Sequence, residues 1–500
     1  MRWNDDALYA QFLLRDPADN GKFLTGVLTT GIYCLPSCPA RRPKRENVRF
    51  FHTPDEARGS GLRPCHRCRP DFFYRGEEWH ENLFEQTAAR VRRDPAAFGD
   101  VPDLAAAAGL SRSALGDLFR EHAHESPGAF LRRVRVEYVC RLLGQGSRPA
   151  DAAVAAGFES SSAFHEQFVA RTGLTPGVYA SLGSEFTLRL PAGYRYREVL
   201  AFYGRDALSV SESVSGAGLR KCTRVEGKPA LIEIGFAGDT ARCRVDCAPR
   251  EGHRAVVRML GIDSDAAGFE RQFSSDPMLG PTIARQKGLR IPLTPEPWEA
   301  LAWAIIGQQI SVKVAVALRR ELIVAAGEAH PSGLRAHPGA AAVAELDGET
   351  LRKLKFSGSK AEYLLTAARA VAGGELPLPS LREKSARHAA RLMNGIRGIG
   401  PWTVQYAFLR GLGFADCLPA GDAGLAQGLA RLLETRPAEA QVRETMARFS
   451  PWRSLATYHV WASLKAQGPP DAALQNGGTH PSSRDPAART CACSSEGDCE

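Results

Sequence analysis

No apolar run along these 500 residues approaches membrane-spanning length, and the opening stretch, MRWNDDALYAQFLLRD, lacks the apolar core of a signal peptide. The first absence excludes a membrane-spanning helix. The second predicts a cytoplasmic chain, where thiols stay reduced and disulfides are not expected. With disulfides set aside, the 12 cysteines need another role, which for closely paired cysteines is metal binding. Negative charge is in deficit: 64 Lys and Arg against 55 Asp and Glu leave a net +9, with a pI near 9.0. That balance favours a polyanionic partner, and by itself suits RNA, DNA or a membrane surface equally. The composition, 44% hydrophobic and 24% charged, is that of a soluble globular protein. Its length predicts about three to four domains.

The pattern changes along the chain. Residues 1–75 hold two cysteine pairs and carry 13 Lys or Arg against 8 Asp or Glu. From Trp79 to Leu182, alanine-rich helical runs are broken by glycine, and the stretch repeats itself. GLSRSALGDLFREHAHESPGAF (109–130) and GFESSSAFHEQFVARTGLTPGVY (157–179) align at an offset of 49. Alternation from Glu185 to about Ile291 predicts strands, and helical periodicity returns from Trp298 to about Lys465. The remainder, rich in Pro, Gly and Ser, reads as a disordered tail.

Cys34-x3-Cys38 and Cys65-x2-Cys68 give two thiolate pairs, each able to grip one ion from a tight turn. Four sulfurs in a tetrahedron suit zinc best, and spacing alone is satisfied by a plain zinc knot. The surroundings add to this. TTGIYCLPSCPARRPKRENVRFF and GLRPCHRCRPD resemble the amino-terminal methyl-acceptor domain of the bacterial Ada family, over most of residues 1–75. The resemblance implies one bound zinc and makes Cys34 both a ligand and the irreversible acceptor of a methyl group from a DNA phosphotriester. Arg41, Arg42, Lys44, Arg45 and Arg49 are then expected to contact phosphates. PCHR (64–67) also occurs in O6-alkylguanine transferases, but Cys68 completes a zinc pair here, so guanine O6 repair is not expected.

Each repeat of the second stretch offers a short helix (101–108 and 149–156), a glycine turn at Gly109 or Gly157, and a second helix, with Ser111 a predicted N-cap. Ordinary helical hairpins would share this pattern; so would two helix-turn-helix units. The doubled unit ending in GLTPGVY resembles the AraC-type DNA-binding domain across nearly all of 80–181. That resemblance puts Arg112, Ser113, Ser161, Ser162 and His165 on the groove-facing surface, with Phe119, Phe164 and Phe168 in the core.

IRGIGPWTVQYAFLRGLG (396–413) begins with a glycine-rich hairpin in which Gly398 and Gly400 would let backbone N–H groups approach a phosphate. With GLRIP, PWEALAWAIIGQQISVKVA, LPAGDAGL and PWRSLATYHVW, it resembles the AlkA-type 3-methyladenine DNA glycosylases of the helix-hairpin-helix superfamily, over about 185–466. The resemblance makes Asp422 the catalytic aspartate, and a helix N-cap is its other reading. Trp402 stands where bifunctional relatives carry a Schiff-base lysine, which implies a monofunctional enzyme without a cofactor. Trp402, Tyr406, Trp461 and Phe202 are expected to line a pocket for a flipped base, their ring faces favouring a cationic alkylated one. Trp452 is assigned to the core. Gln309 takes the place of a leucine wedge.

The remaining cysteines have plainer readings. Cys140, Cys222 and Cys417 are small apolar residues, Cys243 and Cys247 share one face of a strand, and Cys491, Cys493 and Cys499 lie in the tail. The expected architecture is a multidomain α+β chain. A small four-cysteine zinc α/β domain (1–75) precedes an all-α double helix-turn-helix domain (80–182). A mixed sheet-containing subdomain (185–292) leads into an all-α helix-hairpin-helix domain (293–466), before the tail (467–500). The order resembles an Ada–AlkA fusion. It implies DNA alkylation repair by a type II 3-methyladenine glycosylase together with methyl-switched transcription. Expected partners are double-stranded DNA, both alkylated and promoter DNA, and RNA polymerase, with no membrane, for a monomer at the bacterial nucleoid. Two alternatives stay open: a methyl-responsive regulator whose glycosylase half only binds DNA, and a repair enzyme whose zinc is purely structural.

Overall fold

In the computed structural model, which describes residues 4–76 and 78–465, the elements follow those changes of pattern. The expected tail, with Cys491, Cys493 and Cys499, lies outside the described residues. The first domain opens with α1 (Asp5–Leu14), whose first N–H groups are capped by the Asn4 side chain. Strands β1 (Leu24–Val27), β2 (Ile32–Cys34) and β3 (Val48–Phe51) pair antiparallel, and β4 (Arg63–Pro64) joins β2 in parallel, in the order β3-β1-β2-β4. Helices α2 (Pro54–Gly59) and α3 (Pro70–Tyr74) complete it. The parallel pairing sets the end of β2 beside the end of β4, and so Cys34 beside Cys65.

The second domain is all-helical: α4 (Trp79–Arg93), α5 (Val101–Ala108), α6 (Arg112–Ala123), α7 (Pro127–Gly144), α8 (Pro149–Ala155), α9 (Ser161–Thr172) and α10 (Pro176–Ala180). The hydroxyls of Ser111 and Ser160 cap α6 and α9 through the N–H groups of Ala114 and Ala163. Gly109 and Gly157 take positive φ, +66° and +79°, to turn the chain between paired helices. Phe119, Phe164 and Phe168 are buried, as the apolar periodicity predicts.

The third unit is the expected sheet-containing subdomain, but the alternation read as strands up to about Ile291 gives strands only as far as Val245. Its five-stranded antiparallel sheet, order β5-β9-β8-β7-β6, comprises β5 (Glu185–Arg189), β6 (Glu212–Ser215), β7 (Gly218–Val225), β8 (Lys228–Ala237) and β9 (Thr240–Val245), with α11 (Tyr196–Tyr203) between β5 and β6. After Val245 the chain is helical: α12 (Pro249–Leu260), α13 (Ala266–Phe273) and α14 (Gly280–Arg285). In α12 the buried residues Gly252, His253, Ala255, Val256, Met259 and Leu260 recur at helical spacing, which overrides any local alternation.

The last unit is built on α15 (Pro297–Gly307), buried all round from Trp298 to Ile306. Around it and beyond lie α16 (Val312–Ala326), α17 (Ala340–Ala344), α18 (Gly348–Lys353), α19 (Gly358–Ala372), α20 (Ala386–Asn394), α21 (Pro401–Ala407, continued by a wide turn to Leu412), α22 (Ala423–Leu433), α23 (Glu439–Ala447) and α24 (Arg453–Lys465). Trp452 packs edge-on against Phe273 at 6.0 Å, in the core as expected. A buried ionic seam fastens the sheet to this unit. Lys221 lies 3.0 Å from Glu212 and 3.2 Å from Glu299, and Arg319 lies 2.7 Å from Glu212. Burial alone would raise the Glu212 carboxyl, but Arg319 and Lys221 hold it well below the usual carboxylate range.

Candidate functional site

The hairpin between α20 and α21 shows how its two glycines differ. Gly398 has φ +88°, and a Cβ there would fall 2.1 Å from the Tyr363 ring, so the close approach it permits is internal. Gly400 has an ordinary φ of −93° as the N-cap of α21, and a Cβ there would meet nothing within 4 Å. The open side that a phosphate needs is therefore at Gly400. Gln308 braces the hairpin: its Nε2 donates to the Gly398 carbonyl (2.9 Å) and to Thr403 Oγ1 (3.0 Å), and Lys360 Nζ donates to the Gln308 carbonyl.

Asp422 takes the helix N-cap position read from the sequence. As N-cap of α22, its Oδ1 accepts the Leu425 N–H at 2.7 Å. The Trp461 indole N–H donates to the same oxygen at 2.8 Å, and the Trp402 indole N–H donates to Oδ2 at 3.2 Å. Three elements, α21, α22 and α24, thus converge on one half-buried carboxylate whose orientation is set by donors alone. Tyr406 completes the wall, 5.5 Å from the Trp402 ring and 6.2 Å from that of Trp461.

Phe202 reaches this place from α11. The Arg410 guanidinium bridges to it, 4.6 Å from the Phe202 ring centroid and 5.6 Å from that of Trp461. Arg205 lies 4.7 Å from Phe202 and 3.9 Å from Trp303. One flank of the cleft (Phe202, Trp303, Trp461) is therefore already faced by cations. On the other flank, Trp402 and Tyr406, no cation stacks among the described residues. Gln309 is exposed beyond the end of α15 with φ +56°, a left-handed conformation in the loop that precedes α16.

In the first domain the sulfurs of Cys34, Cys38, Cys65 and Cys68 lie within 4.8 Å of one another, four soft donors from two turns. That set fits a single tetrahedral thiophilic dication such as zinc. Without a metal the four thiols would hydrogen-bond one another, which raises Cys34, chiefly through Cys38, and lowers Cys65, chiefly through Cys34. Cys68 Sγ accepts the Leu35 N–H (3.3 Å) and Cys65 Sγ the Arg67 N–H (3.4 Å). Among the described residues Cys34 Sγ accepts none. Of the predicted phosphate contacts, Arg41, Lys44 and Arg49 are exposed. Arg42 stacks on Phe12 at 3.7 Å, and Arg45 pairs with Asp6 at 2.9 Å, so both also hold α1 to the domain.

The helix-turn-helix surface is open at its front and docked at its back. Arg112, Ser113, Ser161, Ser162 and His165 are all exposed. The opposite ends of α6 and α9, together with α4, pack on the later units. His122 Nδ1 lies 2.8 Å from Ser385 Oγ, Arg391 pairs with Glu81 at 2.5 Å, and His253 Nε2 donates to the Thr172 carbonyl at 2.7 Å. Sequence reasoning missed Gln308, Lys360, Arg205 and this docking. Only Gln308 had a signal, as the polar neighbour of the wedge position in GQQIS.

Four family models match the chain in order: metal binding domain of Ada (7–71), helix-turn-helix domain (104–181), AlkA N-terminal domain (185–296) and HhH-GPD superfamily base excision DNA repair protein (302–454). A Mycobacterium tuberculosis protein described as a probable bifunctional transcriptional activator/DNA repair enzyme AlkA is 30% identical over 91% of this chain and 96% of its own. A Bacillus subtilis DNA-3-methyladenine glycosylase is 30% identical over 42% of this chain and 71% of its own. The solved 3-methyladenine DNA-glycosylase from Archaeoglobus fulgidus superposes with a TM-score of 0.51 at 22% identity, covering 56% of this chain and 98% of that one.

Proposed function

This chain belongs to the family of bifunctional transcriptional activator/DNA repair enzymes that join an Ada metal-binding domain to an AlkA glycosylase, and from that premise we propose two chemistries, in separate domains. The first is hydrolysis of the N-glycosidic bond of alkylated bases in duplex DNA, the reaction of a DNA-3-methyladenine glycosylase II. The observation that carries it is the Asp422 carboxylate, oriented by the Trp402 and Trp461 indoles beside the hairpin. The damaged nucleotide leaves the stack and enters the cleft, where Trp402 and Tyr406 face the base. As the bond breaks, positive charge grows on the sugar, and Asp422 stabilises it and helps orient the attacking water. With Trp402 in place of an amine, no Schiff base forms and the product is an abasic site. Gly400 gives the hairpin its open approach to the backbone phosphate, and Gln309 stands at the gap left by the flipped base.

The second chemistry is methyl transfer to Cys34. Bound zinc would be held by Cys34, Cys38, Cys65 and Cys68 and would keep their sulfurs as thiolates at neutral pH. Cys34 is the acceptor that the resemblance to the Ada domain implies, and in keeping with it the Cys34 sulfur accepts no backbone N–H, whereas those of Cys65 and Cys68 do. A new S–CH3 bond forms as the O–CH3 bond of the phosphotriester breaks, and the oxygen keeps the electron pair as a phosphodiester anion. The cysteine becomes a neutral thioether, which takes the four-sulfur site with its dication from −2 to −1. Repulsion from DNA falls, and Arg41, Lys44 and Arg49 can then dock on phosphates. The exposed fronts of α6 and α9 read promoter DNA, and RNA polymerase is recruited by a monomer of this chain.

Both halves are tested together by exposing the purified protein to methylated duplex DNA. Free 3-methyladenine and a 14 Da gain on the peptide bearing Cys34 are expected. Release without the mass gain would reduce the first domain to a structural zinc unit. The mass gain without release would reduce the glycosylase half to DNA binding.

A further inference from the structure

Arg205 has five N–H donors and a charge, yet makes no hydrogen bond and no ion pair among the described residues. It is half-buried, and its guanidinium is sandwiched by aromatics, 3.9 Å from the Trp303 ring and 4.7 Å from that of Phe202. Two other buried cations of the same region are partnered. Arg410, which also lies over the Phe202 ring, donates to the Pro292 carbonyl at 2.9 Å, and Arg319 is paired with Glu212. Stacking holds the plane of Arg205 but satisfies none of its in-plane donors. Arg205 shares the Phe202 ring with Arg410, which in turn faces Trp461, the tryptophan that donates to Asp422.

We propose that Arg205 is a specificity-determining residue that reads the edge of the flipped base, selecting neutral lesions that carry a carbonyl acceptor. The inference rests on the glycosylase reading above and deepens it. When the glycosidic bond breaks, its electron pair goes to the base. A cationic base such as 3-methyladenine then leaves neutral and needs no help. A neutral base such as hypoxanthine leaves as an anion, with the new charge spread over its ring nitrogens and carbonyl oxygen. Water adds to the sugar carbon and gives up its proton, so the products balance. A guanidinium donating to that carbonyl gains strength as the bond breaks, which is the condition for lowering the barrier rather than merely binding. The same positive charge opposes a base already cationic in the ground state. The cleft is thus divided: Trp402 and Tyr406 present free ring faces, and Arg205 presents donors.

The test is competitive release of hypoxanthine and 3-methyladenine from matched duplexes by wild type, Arg205→Met and Arg205→Lys. Methionine keeps the apolar stack between Phe202 and Trp303, and lysine keeps the charge without the planar fork. The ratio of hypoxanthine to 3-methyladenine release should fall by about tenfold to a hundredfold in Arg205→Met, the range for one charge-assisted hydrogen bond. Arg205→Lys should fall between it and wild type. A ratio within about threefold of wild type in both variants would overturn the proposal. So would a wild type that releases 3-methyladenine but no hypoxanthine, which leaves the glycosylase reading intact. A wild type that releases neither overturns both.

Discussion

Asp422→Asn should leave the fold standing and remove the glycosylase chemistry. Asp422 Oδ1 accepts from Leu425 and Trp461, and Oδ2 accepts from Trp402 alone, in the longest of the three contacts at 3.2 Å. Asparagine can keep its oxygen on the side with two donors. The helix cap and the Trp461 bond then survive, and the amide nitrogen faces only the Trp402 indole. Losing that one bond, with donor facing donor, should cost about 1–3 kcal/mol of stability. The chemical loss is larger. A carboxylate about 4 Å from a cationic sugar is worth about 4 kcal/mol at an effective dielectric near 20. That corresponds to about a thousandfold in rate. The assay is single-turnover release of 3-methyladenine, with a thermal melt to show the variant folded and methylation of Cys34 to show the first domain unaffected. A folded Asp422→Asn protein that works within about tenfold of wild type would refute the electrostatic role. Asp422→Ala, which also loses the cap, should be about 1 kcal/mol less stable still than the bond loss alone explains.

Other perturbations separate the remaining claims. Cys34→Ser should abolish the mass gain on methylated DNA while base release continues, and chelation of the metal should unfold the first domain with the same sparing of release, read by tryptic mass mapping and the release assay in parallel. Gly398→Ala forces a Cβ into Tyr363 at a strained φ and should cost about 3 kcal/mol with loss of duplex binding; Gly400→Ala has room and should stay within about 0.5 kcal/mol of wild type. Burial holds His122 and His253, at the docking seams, down to about 4. The unfolded chain takes those protons near pH 6.5 and the folded one resists them, so stability present above about pH 6.5 should decline as pH falls toward about 4. Denaturant titrations across that window should show the decline, lessened in His253→Gln; a flat profile would contradict it.

Much of the site was legible because its signals are local. A cysteine pair three or four residues apart can share an ion whatever the rest of the chain does, and Ser111 caps a helix through a bond to Ala114 within the same turn. The glycines at 398 and 400 marked a hairpin, and the resemblance to the AlkA-type glycosylases pointed from it to Asp422. Illegible features were those made by distant residues. The division of labour between Gly398 and Gly400 depends on Tyr363, which no reading of GIG could supply. The expected strands beyond Val245 gave way to α12 to α14 because burial of His253, Val256 and Met259 against other elements outweighs short-range alternation.

By itself, then, the sequence determined the order of the four units, the two closely spaced cysteine pairs and the helical repeat, since each is written in contiguous residues with a fixed period or spacing, while the candidate aspartate was picked out by the resemblance to the AlkA-type glycosylases. Tertiary structure alone decided which groups share a space. It put Phe202 of the sheet-bearing unit against Arg410, which also faces Trp461, and Arg205 against Trp303. It also set the backs of α6 and α9 against the glycosylase half while their fronts stayed open. Such meetings are governed by packing of whole faces and by burial of paired charges such as Lys221, Glu212 and Arg319. Those energies depend on residues far apart in the chain, and no local pattern records them.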